Sequence, residues 1–221
     1  MAKLVSSFKN MALSLTCIAL VAAGALAGVY ILTKAPIEAA MKAKQEAAIM
    51  QVLPQVEGLQ VADAETVEGV TLYKAYVGEE WVGTAVEAST EGNENMPFGG
   101  TFRLMVGFDK VGNVVNYVVL EQAETPGLGA LMTTWFKNAD KPGQNILGKN
   151  PVTTEFGVSK DGGDVDAITA STITSRAFLE VVVKAYNAIA HQDVEAVSSA
   201  TQLGESGDEA TSELEEKGGQ Q

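Results

Sequence analysis

The sequence of 221 residues contains one cysteine and one histidine, and this scarcity excludes several kinds of site. Cys17 alone cannot form an internal disulfide, and it cannot supply a four-cysteine zinc site. His191 alone cannot build a histidine-rich metal site. We therefore predict no metal centre in this chain.

Basic residues are also few, since 15 Lys and Arg stand against 28 Asp and Glu, for a net charge of -13. Nucleic-acid binding needs a basic patch to neutralise phosphates, so a DNA- or RNA-binding role is excluded. Hydrophobic residues make up 46% of the chain, which is enough to bury a sizeable core. The segment 204–221 has six acids, one lysine and one large apolar residue, and we predict that it is a disordered tail.

The first strong signal is an uncharged apolar run of 22 residues at 11–32. As a helix at about 1.5 Å per residue it reaches roughly 33 Å, which spans a bilayer core. A cleaved signal peptide usually has a shorter apolar region, of about 7 to 15 residues. We therefore predict a retained membrane anchor. Lysines flank the run on both sides and leave its orientation open.

The patterns in the rest of the chain predict helices and strands in a mixed order. A second helix is predicted over 36–52, because Pro36 suits a first helical turn and Pro54 ends the pattern. Segments rich in Val, Thr and aromatic residues predict four strands, at 69–77, 81–88, 101–108 and 113–120. The last two of these predict an antiparallel hairpin, and helical spacing returns at 131–138 and 172–190. Strands with flanking helices predict an α+β domain built on an antiparallel sheet.

Two short segments contain candidate ligand-binding residues. The segment 124–129 (ETPGLG) follows a predicted strand, and its glycines let the backbone approach a ligand closely. Small and hydroxyl residues dominate 169–175 at the start of the last predicted helix, where free N–H groups and the helix dipole make a ready phosphate site. Taken alone, the first segment also fits an ordinary turn, and the second fits a Thr/Ser cap with solvated neighbours.

Together these features resemble a known family. The single anchor, ETPGLG and the segment 166–175 (DAITASTITS) resemble the FMN-binding G subunit of the Rnf electron-transport complex. They are similar also to the C subunit of the sodium-pumping NADH:quinone reductase. The usual attachment motif in that family is Ser/Thr-Gly-Ala-Thr, so Ala170 and Ser171 replace Gly and Ala here. Both replacements keep the site small.

The resemblance implies a cofactor and the residues that hold it. In the family, FMN is joined through its phosphate to the last Thr of the motif, which corresponds to Thr172. Asp166 matches the position that a flavin transferase recognises, and that enzyme would install FMN from FAD. The other cofactor-binding residues that we expect are Glu124, Thr125, Gly127, Leu128, Gly129, Lys160, Thr169, Ala170, Ser171, Thr174 and Ser175.

The resemblance also implies a role for the whole chain. The complex transfers electrons between reduced ferredoxin and NAD⁺ and couples this to ion transport, so this chain would be a relay subunit that is not catalytic alone. Its partners would be the other membrane subunits, with the soluble domain outside the cytoplasmic membrane. The expected segments are a cytoplasmic N-terminus (1–10), an anchor (11–33), a helical stalk (34–54), an FMN-binding domain (55–200) and a disordered acidic tail (201–221).

Two other interpretations stay open. The FMN subunit of a sodium-pumping quinone reductase, or of another extracytoplasmic flavoprotein, would share the same attachment motif. A non-redox, membrane-anchored interaction module would use Thr172 only as a helix cap, and such a protein would be colourless.

Overall fold

The computed structural model of the chain describes residues 8–67, 69–93 and 95–190. The predicted acidic tail and most of the predicted N-terminal segment 1–10 lie outside the described residues. The chain divides into two units between Lys44 and Gln45.

The first helix, α1, is continuous from Phe8 to Val52. The prediction of a separate second helix that begins at Pro36 is wrong, because Pro36 lies inside α1. A proline removes one N–H donor, and the helix-favouring, alanine-rich sequence on both sides continues through it. Among the described residues, α1 is the one helix long and apolar enough to cross a membrane. The predicted end at Val52 is confirmed.

The second unit is built on a six-stranded, fully antiparallel sheet. Its elements are β1 (Leu59–Val61), β2 (Glu65–Val67), β3 (Val70–Val77), β4 (Glu80–Ser89), β5 (Arg103–Asp109), β6 (Val114–Glu121), α2 (Met132–Trp135) and α3 (Thr172–Ala190). The spatial order of the strands is β1-β3-β4-β5-β6, and β2 also pairs with β3. The four longer strands confirm the four predicted ones within two residues at each end, whereas the three-residue strands β1 and β2 are not predicted.

The two faces of this sheet are covered by different helices. On one face, Val106 and Phe108 of β5 belong to a core that includes the buried side of α3. On the other face, Met105 belongs to a core with Ile49 and Val52 from the last turns of α1. Successive strand residues point to opposite faces, so β5 serves both cores. The predicted α+β fold, an antiparallel sheet with flanking helices, is confirmed.

The connection from β6 to α3 contains the candidate ligand-binding segment 124–129 and leads into the second such segment, 169–175, at the start of α3. It is mostly irregular, with 3₁₀ turns at Gly129–Leu131, Pro142–Gln144 and Ser159–Asp161. The helix predicted over 131–138 is shorter than expected, because α2 spans only four residues. This connection brings its two ends together at the first turn of α3.

Candidate functional site

Thr172 is the first residue of α3, as the sequence predicts. Its side chain is only partly buried, and among the residues that the structure describes its hydroxyl has no hydrogen-bond partner. The first N–H groups of a helix have no partner within the helix and lie at its positive dipole end. A hydroxyl available for reaction therefore lies where an attached anion would be stabilised.

Ser175 fastens the segment before the helix to the first turn. Its Oγ accepts a hydrogen bond from the Ile168 N–H at 2.9 Å and donates to the Ser171 carbonyl oxygen at 2.9 Å. The Ser175 side chain is fully buried. The Ser175 hydroxyl, which we expect among the cofactor-binding residues, thus already accepts one hydrogen bond and donates another within the protein. These bonds fix the backbone that leads into Thr172.

Ala170 adopts a left-handed backbone conformation, with φ of 60°. A side chain in this region brings Cβ too close to the following carbonyl oxygen, which costs about 1–2 kcal/mol. Glycine avoids this cost, and glycine is the residue that the family motif has at this position. The replacement of glycine by Ala170 therefore keeps the site small but strains the backbone at this position.

We expect Ala170→Gly to stabilise the protein by about 1 kcal/mol, because it removes the Cβ from the left-handed position. Thermal unfolding of the full chain in detergent measures this gain in stability. Ala170→Val is the matched control, and it should lower the melting temperature because a β-branched residue fits that conformation worse than alanine. A melting temperature of Ala170→Gly below that of the wild type would contradict the left-handed backbone conformation of residue 170.

The carboxylate of Glu124 joins three segments around the site. Its Oε1 accepts from the Gly99 N–H at 2.9 Å, and its Oε2 accepts from Thr174 Oγ1 at 3.2 Å. A Cβ on Gly129 would lie 2.1 Å from Oε2, so the absence of a side chain there makes room for the carboxylate. Glu124 is buried. It ties the loop after β6 to the first turn of α3, two residues from Thr172.

The loop that follows Glu124 is open to solvent. Thr125, Gly127 and Leu128 are all exposed. Gly127 takes a positive φ of 78°, as a turn glycine does, and the Thr125 carbonyl accepts from the Leu128 N–H at 3.1 Å. The structure therefore brings the predicted ETPGLG segment to α3 through Glu124 and leaves the apolar Leu128 side chain accessible.

Asp166 lies in a well-anchored stretch before the attachment segment. Its N–H donates to the Gly143 carbonyl oxygen at 2.6 Å, and its own carbonyl accepts from Trp135 Nε1 at 2.8 Å. Its Oδ1 accepts from Ser159 Oγ at 2.9 Å, and the residue is exposed. An exposed carboxylate on a fixed backbone is accessible to another protein.

An ion pair that the sequence did not predict involves Arg176, which follows Thr172 by one turn of α3. Arg176 donates to Asp161 from Nε at 2.6 Å and from Nη2 at 2.8 Å. The Asp161 hydrogen bonds raise the pKa of Arg176 above its ordinary value. The predicted residue Lys160, next to Asp161, is exposed. The sequence spacing could have indicated Arg176, because it follows Thr172 by four residues and so shares its helix face.

The chain matches two family models, and one of them covers all of these residues. The model of an FMN-binding domain matches residues 98–187, and that of the RnfG N-terminal region matches 1–52. The chain is 32% identical to the G subunit of the ion-translocating oxidoreductase complex of Haemophilus influenzae (strain PittEE), over 68% of this chain and 75% of that protein. It is 30% identical to the protein of the same name from Methanosarcina acetivorans, over 81% of this chain and 93% of that protein. The protein of that name from Stutzerimonas stutzeri is 32% identical, over 84% of this chain and 82% of that protein.

Proposed function

This chain belongs to the family of the G subunit of the ion-translocating oxidoreductase complex, and we propose that Thr172 carries its FMN as a phosphoester. The chain is an FMN electron-relay subunit of the Rnf complex, and the apolar part of α1 is its single-pass membrane anchor. The observation that carries the proposal is the Thr172 hydroxyl itself. It is partly exposed and unpartnered among the described residues, while the neighbouring Thr174 and Ser175 hydroxyls are engaged.

The residues at the start of α3 fit the phosphate of such a group. The N–H groups of the first turn supply donors, and the helix dipole favours the negative charge that a phosphodiester retains. The loop 125–131 supplies exposed apolar surface through Leu128 and Leu131, which are 39% and 37% exposed. This combination of anion donors and accessible apolar side chains suits a ligand with a phosphate at one end and an aromatic ring at the other.

When bound, FMN supplies the reversible electron transfer that protein side chains do not. The task of this chain is then to hold the group in one place. Glu124 and Ser175 fix the backbone on both sides of Thr172, and the covalent bond prevents loss of the cofactor outside the cytoplasm. The chain supplies positioning and has no substrate chemistry of its own.

We propose that a flavin transferase forms the bond, with FAD as donor. The Thr172 Oγ1–phosphorus bond forms, the pyrophosphate bond of FAD breaks, AMP leaves, and the hydroxyl proton passes to a base of the transferase. The exposed Asp166 is a recognition point for that enzyme, since its backbone is held by Gly143 and Trp135.

The proposed setting is an ion-translocating complex that exchanges electrons between ferredoxin and NAD⁺. The other subunits of that complex are the partners of this chain. We place the soluble domain, over 55–200, on the extracytoplasmic side of the cytoplasmic membrane, with 11–33 as the anchor and 34–54 as the stalk. The same covalent site would serve the related quinone reductase, and co-purifying subunits distinguish the two complexes.

The test is purification of the full tagged chain in mild detergent from cells that contain the complex and a flavin transferase. We expect in-gel flavin fluorescence at the size of the chain, a mass gain of one FMN less one water, and co-purifying membrane subunits. Protease added to right-side-out vesicles should cut the domain, and inverted vesicles should protect it. A colourless chain of unmodified mass, from cells in which a control acceptor is flavinylated, would instead favour the interaction module.

A further inference from the structure

Arg176 is one of two arginines in the chain, and its guanidinium is held in one orientation. The Nε and Nη2 atoms both donate to Asp161, at 2.6 and 2.8 Å. Asp161 is itself almost fully buried, with 3% of its side chain exposed, whereas Arg176 keeps 21%. A bidentate pair of this kind uses one edge of the planar guanidinium and leaves the other N–H groups free to donate. Among the described residues, Nη1 has no hydrogen-bond partner.

Arg176 lies on the helix face that carries Thr172, because both belong to α3 and are four residues apart. Residues four apart on a helix are neighbours, and helical side chains lean towards the N-terminus. Arg176 therefore covers the turn that contains Thr172. It is also the first cationic side chain of α3, since Lys184 lies two turns further on.

The hydroxyls near Thr172 cannot take the place of this arginine as donors without losing bonds that they already make. Thr174 Oγ1 donates to Glu124 at 3.2 Å, and Ser175 Oγ donates to the Ser171 carbonyl oxygen. A hydroxyl has one proton to donate, and both of these protons are in use. The charged side-chain donor available in this turn is Arg176.

The charges around Arg176 leave it positive and oriented. Asp161 raises its pKa through hydrogen bonds, and Glu180, one turn further along α3, acts in the same direction. Glu180 also accepts a hydrogen bond from the Asn95 side chain. Both carboxylates thus favour the protonated arginine, and Asp161 fixes its direction.

We propose that Arg176 binds the phosphate oxygens of the group attached to Thr172, and that Asp161 is the positioning residue that aims it. This inference rests on the proposed attachment at Thr172. Arginine pairs with phosphate through two parallel N–H···O bonds, and it retains its charge at every pH that a folded protein meets. The same contact would hold the incoming phosphate while the transferase forms the bond, so Arg176 affects the rate of loading as well as the loaded state.

The test uses the full detergent-solubilised chain, a flavin transferase and FAD, with mass spectrometry to follow loading over time. The loaded protein is then examined by ³¹P NMR. Arg176→Gln should slow loading by about tenfold, since it removes a charged hydrogen bond to the phosphate, and it should shift the ³¹P resonance. Arg103→Gln is the matched control, because Arg103 pairs with Glu87 and Glu121 on the sheet. It should load at the wild-type rate.

Two further variants separate phosphate binding from a purely structural role. Asp161→Asn leaves the arginine and its charge in place, so it should slow loading by no more than about threefold and keep the ³¹P resonance near the wild-type position. Arg176→Lys keeps the positive charge but lacks the two parallel N–H donors of the guanidinium. It should give an intermediate rate of loading even where Arg176→Gln folds poorly. The proposal is overturned if the Gln and Asn variants slow loading equally and share the wild-type resonance. A wild-type chain that does not load at all instead contradicts the attachment at Thr172.

Discussion

Thr172→Ala is expected to abolish covalent FMN while leaving the protein folded. The variant removes the one atom that the proposed phosphoester needs. The stability should change by less than about 1 kcal/mol, because the side chain is partly exposed and its hydroxyl has no partner among the described residues. Co-expression with a flavin transferase, followed by in-gel fluorescence and intact mass, measures the loss.

Two variants control this experiment. Thr172→Ser keeps a hydroxyl at the same position and should still gain the mass of one FMN less one water. Thr153→Ala removes an exposed threonine hydroxyl from the same domain and should load as the wild type does. Full loading of Thr172→Ala would place the acceptor on another residue and contradict the proposed site.

Gly107→Ala is expected to destabilise the domain by about 3 kcal/mol, which lowers the melting temperature by about 6–12 °C. A Cβ at Gly107 would lie 1.8 Å from the Val52 carbonyl oxygen and 2.5 Å from its carbonyl carbon. These are backbone atoms of the last turn of α1, so no side-chain rotation relieves the contact. The end of α1 would have to move away from this face of the sheet, where it packs with Met105.

The matched control for this prediction lies two residues away on the same face of β5. Met105→Leu conserves the volume of a fully buried side chain and should cost less than about 1.5 kcal/mol. Thermal and urea unfolding of the full chain compare the two variants. If Gly107→Ala unfolds at the same midpoint as Met105→Leu, that result contradicts the close approach of the α1 backbone to Gly107.

The elements with long, regular patterns could be predicted from the sequence. Helix α3 begins at the predicted residue and extends over the whole predicted segment, because helical spacing, a hydroxyl-rich start and uninterrupted apolar positions all indicate it. The β5–β6 hairpin is confirmed as well, since Asp109 accepts from the Val111 and Asn113 N–H groups at the turn. Strands β1 and β2 have three residues each, too few for an alternating pattern to be visible.

The interior of the candidate site was less predictable. The resemblance identifies Thr172, but it does not show that Thr174 and Ser175 donate to protein acceptors, because those partners come from distant or backbone atoms. In the sequence, Asp161 is one of several acids around a glycine-rich turn, whereas in the structure its buried carboxylate pairs with Arg176. Contacts between an irregular connection and a helix depend on the tertiary fold, and no periodic pattern in the sequence encodes them.

The measurement that tests the central claim most directly is the location of FMN in a peptide from the native complex. Trypsin cleaves after Lys160 and Arg176, so a single peptide over 161–176 contains every hydroxyl of the attachment segment. We predict that this peptide carries the mass of one FMN less one water, and that fragmentation assigns the added mass to Thr172. An unmodified peptide, or a modification assigned to Thr169, Ser171, Thr174 or Ser175, would contradict the account.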